Sequence, residues 1–288
     1  MSKAKAVAKK KKEKKEAKPA ADVCMVMPGN DLMTITNLLG VIVEDARFEF
    51  FPNGMRSVCV DASHCAMIAL IYGEFNENDV PEHTLGLELR RLHDVLKKGL
   101  GKAKGRGEKR KSDYTLNFEW DKNTFMYGIS DVDGEWKTSY RGLDPSTVNS
   151  PNIPTIAYTT SFEMPATKLA EKLEFCKLVG DLVTIEVDND VVIKTAYHSG
   201  TDGNGPMVAG HESPGGSSSV DNLKEHKVRS QYSMTYLLPL VKALKGQNLT
   251  VRFGDNYPLM IECDLDLGYE TKPLKFTYFL APRVESDY

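Results

Sequence analysis

One order of elements occurs four times along the chain: helix, strand, tight turn, strand, strand, with an apolar lead-in before each helix. That recurrence restricts the fold more than any single motif does. In the first copy Leu32, Ile35, Leu38, Leu39 and Ile42 fall at helical spacing. Asn30 or Asp31 stands where a helix cap is wanted. ARFEFF and MRSVCVD then alternate about the turn Pro52-Asn53-Gly54, and CAMIALIYGEF follows as another strand. The second copy sets Leu89, Leu92 and Leu96 on one helical face, followed by the hairpin YTLNFEW and TFMYGIS and the strand GEWKTSY. The third aligns Leu169, Leu173 and Cys176 before DLVTIEV and VVIKTAYHS. The fourth runs from YSMTYLLPLVKALKG through LTVRFGD and PLMIECDL to LKFTYFLA. Pro239 lacks a backbone donor, so its helix is expected to kink there.

Four short helices serving many strands predict an α+β chain. Each of two domains would hold two antiparallel sheets, with the helices gathered on one side. Three prolines mark a connector over 142–158. The expected division is a lysine-rich tail at 1–21, a first domain at 22–141, the connector, and a second domain at 159–288. A Gly/Ser-rich stretch at 199–226 reads as a loop of the second domain, and 101–113 is a basic insertion after the second helix.

Charge is divided unevenly. The first 20 residues hold nine Lys and two Glu, a net of +7, and should be disordered. The whole chain has 37 basic and 40 acidic residues, so the body keeps 28 and 38, a net of −10. Within that acidic body three helices carry basic residues off the apolar stripe: Arg90, Arg91, Lys97 and Lys98; Lys168 and Lys172; Lys242 and Lys245. A charged helical face is by default only the solvated one. Its recurrence on three equivalent helices suits a phosphate backbone, which asks for spread positive charge and little base-reading chemistry. The first helix has no Lys or Arg, and the third also carries Glu171 and Glu174. The insertion residues Lys102, Lys104, Arg106, Lys109, Arg110 and Lys111 are expected to compensate by adding positive charge for the same kind of phosphate contact.

Catalytic and membrane chemistry find little support. No apolar run reaches 18 residues, and the lysine-rich start lacks the apolar stretch of a signal peptide. Five cysteines without CxxC spacing read as reduced thiols of an intracellular protein, not as disulfides or a zinc site. No metal or cofactor is expected. HExxH, GxSxG and P-loop patterns are missing. His64 and Cys65 are adjacent, and on a strand adjacent side chains point to opposite faces, which is poor geometry for a nucleophile and its base. Asp264 and Asp266 would share a face without a second cluster to complete a metal site.

Four strings in fixed order carry a resemblance: VDASHCAMIAL (60–70), PNIP (151–154), YPLMIECDLDLG (257–268) and FTYFLAPRVES (276–286). Together they resemble the sliding clamp family of proliferating cell nuclear antigen, and the Leu-Ala-Pro-Arg ending is similar to archaeal members. The likeness covers about residues 23–286. It implies a non-enzymatic homotrimeric ring that encircles double-stranded DNA without sequence preference, works inside the cell with the DNA, and has helices lining its lumen. It also implies that DNA polymerase, clamp loader, flap endonuclease and ligase dock through PIP-box peptides. By the same resemblance the peptide groove comprises Val60, His64, Cys65 and Met67, Pro151, Ile153 and Pro154 of the connector, Pro258, and Phe279, Ala281, Pro282 and Arg283. Phe279 read alone is a core aromatic, and His64 a structural histidine. Subunits would join through edge strands 134–140, with Trp136, Thr138 and Tyr140, and 206–213, with Met207 and Val208. Gly210 makes the second a poor strand former, so a weak ring is expected. The alternatives are a monomeric or heterotrimeric clamp-fold subunit and, remotely, a cysteine/histidine hydrolase.

Overall fold

The computed structural model describes residues 22–76, 79–102, 115–121, 126–131, 137–187, 191–198, 207–214, 228–265 and 273–283. The lysine-rich tail, Trp136 and most of the basic insertion, including Lys104, Arg106, Lys109, Arg110 and Lys111, lie outside them.

Each copy forms a βαβββ unit. The first comprises β1 (Asp22–Pro28), α1 (Gly29–Leu39), β2 (Asp45–Phe51), β3 (Gly54–Val60) and β4 (Ala66–Gly73). The second comprises β5 (His83–Glu88), α2 (Leu89–Lys102), β6 (Thr115–Asp121), β7 (Met126–Asp131) and β8 (Lys137–Arg141). The third is β9 (Thr160–Pro165), α3 (Ala166–Lys177), β10 (Leu182–Val187), β11 (Val191–His198) and β12 (Met207–Pro214). The fourth is β13 (Val228–Ser233), α4 (Met234–Ala243), β14 (Asn248–Phe253), β15 (Leu259–Leu265) and β16 (Leu274–Leu280). Gly73 adopts φ 83°, and a Cβ there would come within 2.2 Å of the Asn53 carbonyl, so this strand end admits only glycine.

The strands form three antiparallel sheets, not two in each half. Eight strands run β5-β2-β3-β4-β16-β15-β14-β9, and the smaller sheets run β1-β6-β7-β8 and β12-β11-β10-β13. The large sheet is continuous because β4 pairs with β16 from Ala66↔Leu280 to Tyr72↔Leu274, joining the first unit to the fourth. Strand β4 is apolar on both faces, so it is not suited to a solvated edge.

The helices pack in pairs, α1 beside α2 and α3 beside α4, with α1 also touching α4. Their apolar stripes enter the core: Leu32, Ile35, Leu38 and Leu39; Leu89, Leu92 and Leu96; Leu169, Leu173 and Cys176; Leu237, Leu240 and Val241. Each buried Leu contributes about 1.5–3 kcal/mol relative to exposure. The start of α1 differs from expectation. The helix opens at Gly29 with Pro28 at the cap position, and Asp31 turns inward, where the Tyr72 hydroxyl donates to its Oδ2 at 3.1 Å. Helix α4 continues through Pro239, whose ring is exposed.

Candidate partner groove and nucleic-acid face

Strand alternation splits the large sheet into two faces. Cys59, Ile68, Tyr278 and Ile261 point into the helix-covered core. Their neighbours Val60, Met67, Phe279 and Met260 are directly opposed across β3, β4, β16 and β15 and therefore form one row on the other face. Phe279 is buried, only 6% exposed, and stands apart from the main core cluster on the other face of the sheet. Val60, Met67 and Met260 are half-buried around it.

The chain between β3 and β4 is shaped by one carboxylate. Asp61 Oδ1 accepts from the Cys65 and Ala66 amides at 2.7 and 2.6 Å, and Oδ2 accepts from the Ser63 amide at 3.0 Å. The local signal is an aspartate followed two residues later by serine, an Asx-turn pattern. His64 is exposed and left-handed, with φ 57°. Burial opposes the Asp61 charge, but the amides of Ala66, Ser63 and Cys65 and the Ser63 side chain outweigh it and hold the carboxyl below its ordinary value.

Two backbone bonds then fix the C-terminal exit. The Ala281 amide donates to the Cys65 carbonyl at 2.8 Å, and the Arg283 amide donates to the Gln231 carbonyl at 2.7 Å. Ser63 Oγ and the Tyr236 hydroxyl of α4 lie 2.8 Å apart, tying the loop to the fourth unit. The structure thus brings together Val60, His64, Cys65, Met67, Phe279, Ala281, Pro282 and Arg283. Pro258 stands one residue beyond the Leu259↔Leu280 pair, alongside Ala281. Pro151, Ile153 and Pro154 lie on an irregular segment after a 3₁₀ turn (Pro145–Thr147), with Ile153 39% exposed. Among the described residues no hydrogen bond ties these three to the groove. Sequence reasoning missed Asp61, Met260, Gln231 and Tyr236. Only Asp61 carries a local signal, since the other three enter through long-range pairing.

Cys65 Sγ donates to the Ser63 carbonyl at 3.6 Å. Burial pushes Cys59 and Cys176 up to about 11 and Cys263 up to about 12. Among the described residues no group of three His, Cys, Asp or Glu is placed to hold a metal ion.

On the helical side Arg90, Arg91, Lys97 and Lys98 of α2 are all exposed, with Arg91 3.9 Å from Glu88. Lys102 ends α2. Lys168 and Lys245 are exposed, and Lys172 is half-buried. Lys242 is not a free cation: its Nζ lies 2.6 Å from Glu174 Oε1, across the α3–α4 pair.

The expected interface strands sit where strand addition is open. Among the described residues, β8 is one edge of its four-stranded sheet and β12 is one edge of the other. Strand β12 forms despite Gly210, pairing with β11 from Val192↔Pro214 to His198↔Met207, so Met207 and Val208 lie on a strand as expected. The Tyr140 ring packs edge-on against Tyr127 with centroids 3.7 Å apart, and Tyr140 is half-buried. Thr138 shares its face of β8, while Lys137, Ser139 and Arg141 are the exposed set.

Paired βαβββ units, helices on one side and a sheet running between the halves define the DNA-clamp fold. Comparison with known proteins agrees. No family model matches the chain. Curated DNA polymerase sliding clamps do: that of Thermoplasma volcanium is 28% identical over 261 residues, 88% of this chain and 96% of the relative. That of Thermoplasma acidophilum is 29% identical over 266 residues, with the same two coverages. Among solved structures, Archaeoglobus fulgidus PCNA bound to the C-terminal region of FEN-1 superposes with a TM-score of 0.71 at 22% identity, covering 93% of this chain and all of that one. Entamoeba histolytica proliferating cellular nuclear antigen gives 0.70 at 16% identity, covering 91% and 100%. The resemblance to the sliding clamp family read from the sequence is borne out by these relatives, and with it the reading of a clamp for DNA polymerase.

Proposed function

We propose that three copies of the chain close into a ring around duplex DNA and tether DNA polymerase and other DNA-processing proteins. The chain does this without catalysis of its own, inside the cell where the DNA is. Each copy supplies two domains, 22–141 and 159–288, joined by the connector 142–158. The observation that carries this reading is that, among the described residues, β8 in the second unit and β12 in the third each end a four-stranded sheet. An unpaired strand row is a template for another strand. Two different edges on one chain make a head-to-tail contact, which closes into a ring when the rotation permits. Exposed Phe175 and Leu178 at the end of α3 support the same reading, as apolar side chains left at the surface of the third unit.

In the ring α2, α3 and α4 present their lysines and arginines to the phosphates, holding DNA loosely enough to slide. The row Val60, Met67, Phe279 with Ala281 and Pro282 receives the apolar anchors of a PIP-box peptide, and the connector closes over it. Flap endonuclease, ligase and clamp loader are the further partners expected there; the A. fulgidus PCNA solved with the C-terminal region of FEN-1 is a precedent for the first. The test is polymerase synthesis on primed circular DNA with a clamp loader and ATP. The purified chain is expected to lengthen products only when both are present. Equal stimulation without them, or none with them, rejects the proposal.

A further inference from the structure

We infer that Asp61 is a positioning residue for partner binding: its carboxylate sets the shape of the groove floor and, through it, the path of the C-terminal exit. This rests on the peptide-groove reading above and adds a residue that itself touches no partner. Three observations converge. Asp61 is 5% exposed and takes three backbone amides, those of Ser63, Cys65 and Ala66, at 2.6–3.0 Å. The loop it holds contains His64 at φ 57°, a conformation that costs a non-glycine residue about 1 kcal/mol and persists only where the surroundings impose it. The carbonyl of that loop's Cys65 receives the Ala281 amide at 2.8 Å, so whatever moves the loop moves Ala281 and Pro282 too.

The arrangement is therefore a chain of hydrogen bonds from a buried anion to the groove wall. The anion must accept only. An amide side chain in its place would turn an N–H₂ toward backbone N–H groups, losing at least one bond and leaving a donor opposed to donors. A peptide pays less to bind a groove that is already formed, so loosening the loop should appear as lost affinity with little change elsewhere.

The experiment uses the full chain and a fluorescent PIP-box peptide with aliphatic and aromatic anchors. Affinity and sedimenting mass are measured for the wild type, Asp61→Asn, His64→Gly, and the double variant. Asp61→Asn should bind roughly tenfold more weakly while keeping the wild-type mass. His64→Gly removes a groove side chain and sets its own baseline; Asp61→Asn should cost less affinity on that background than on the wild type, because glycine reaches the left-handed turn without the carboxylate. Should Asp61→Asn lose its folded structure, Asp61→Glu replaces it: the charge stays, the oxygens shift by one methylene, and weaker binding at unchanged mass is again expected. Wild-type affinity in the Asn variant, or in the Glu variant where that replaces it, overturns the role of Asp61 and leaves the groove standing. A loss of the same size on both backgrounds also overturns it. If the wild type itself does not bind the peptide, the groove reading fails and this inference falls with it.

Discussion

Asp31 should make the chain lose stability as pH rises, against the usual behaviour of a carboxylate. It is fully buried in the first turn of α1, with the Tyr72 hydroxyl donating to Oδ2 and no partner for Oδ1. Burial raises its pKa from 3.8 to about 6, and the Tyr72 bond offsets only part of that. The folded chain thus holds the proton more tightly than the unfolded one. The stabilisation is complete below about pH 4 and lost as pH climbs through about 6. A difference of roughly two pH units at 1.36 kcal/mol each gives up to about 3 kcal/mol. Urea unfolding of the wild type and Asp31→Asn near pH 4 and pH 7.5 isolates this, because every other titrating group is common to both. The wild type should fall by up to about 3 kcal/mol more than the variant between the two pH values. Any constant offset from the buried amide cancels in that comparison. Parallel pH profiles would refute the argument, as would a variant that loses stability faster than the wild type as pH rises.

Two further predictions concern DNA. Replacing Lys97 and Lys98 with Ala should lower the slope of log affinity against log salt for a short duplex by about 1.8, from roughly 0.9 per phosphate contact, whereas Lys242→Ala should change it much less because Glu174 already holds that lysine. Glu174→Gln should release Lys242 and raise the salt slope, and an unchanged slope would show that the pair does not mask the cation.

The four units were legible because their signals are local. A period of 3.6 in each helix, alternation in each strand and polar turns between them need no knowledge of the rest of the chain. Leu89, Leu92 and Leu96 are buried as their spacing requires, and Arg90, Arg91, Lys97 and Lys98 are exposed for the same reason. The β4–β16 seam was not legible, because it joins strands some 200 residues apart and merges what local reading leaves as separate sheets. Asp31 was misread as a cap because its residue type favours helix starts, and only the position of Tyr72 shows that it is buried. The contact of Tyr140 with Tyr127 joins two strands and carries no local signal. The resemblance pointed to the groove residues, but the Lys242–Glu174 pair depends on tertiary approach that no spacing encodes.

Ring closure is the central claim, and solution mass measures it directly. Sedimentation equilibrium at tens of micromolar should give three times the 32.1 kDa of one chain, falling toward one on dilution if the β12 contact is weak. A species that stays at one chain mass across that range would contradict the account.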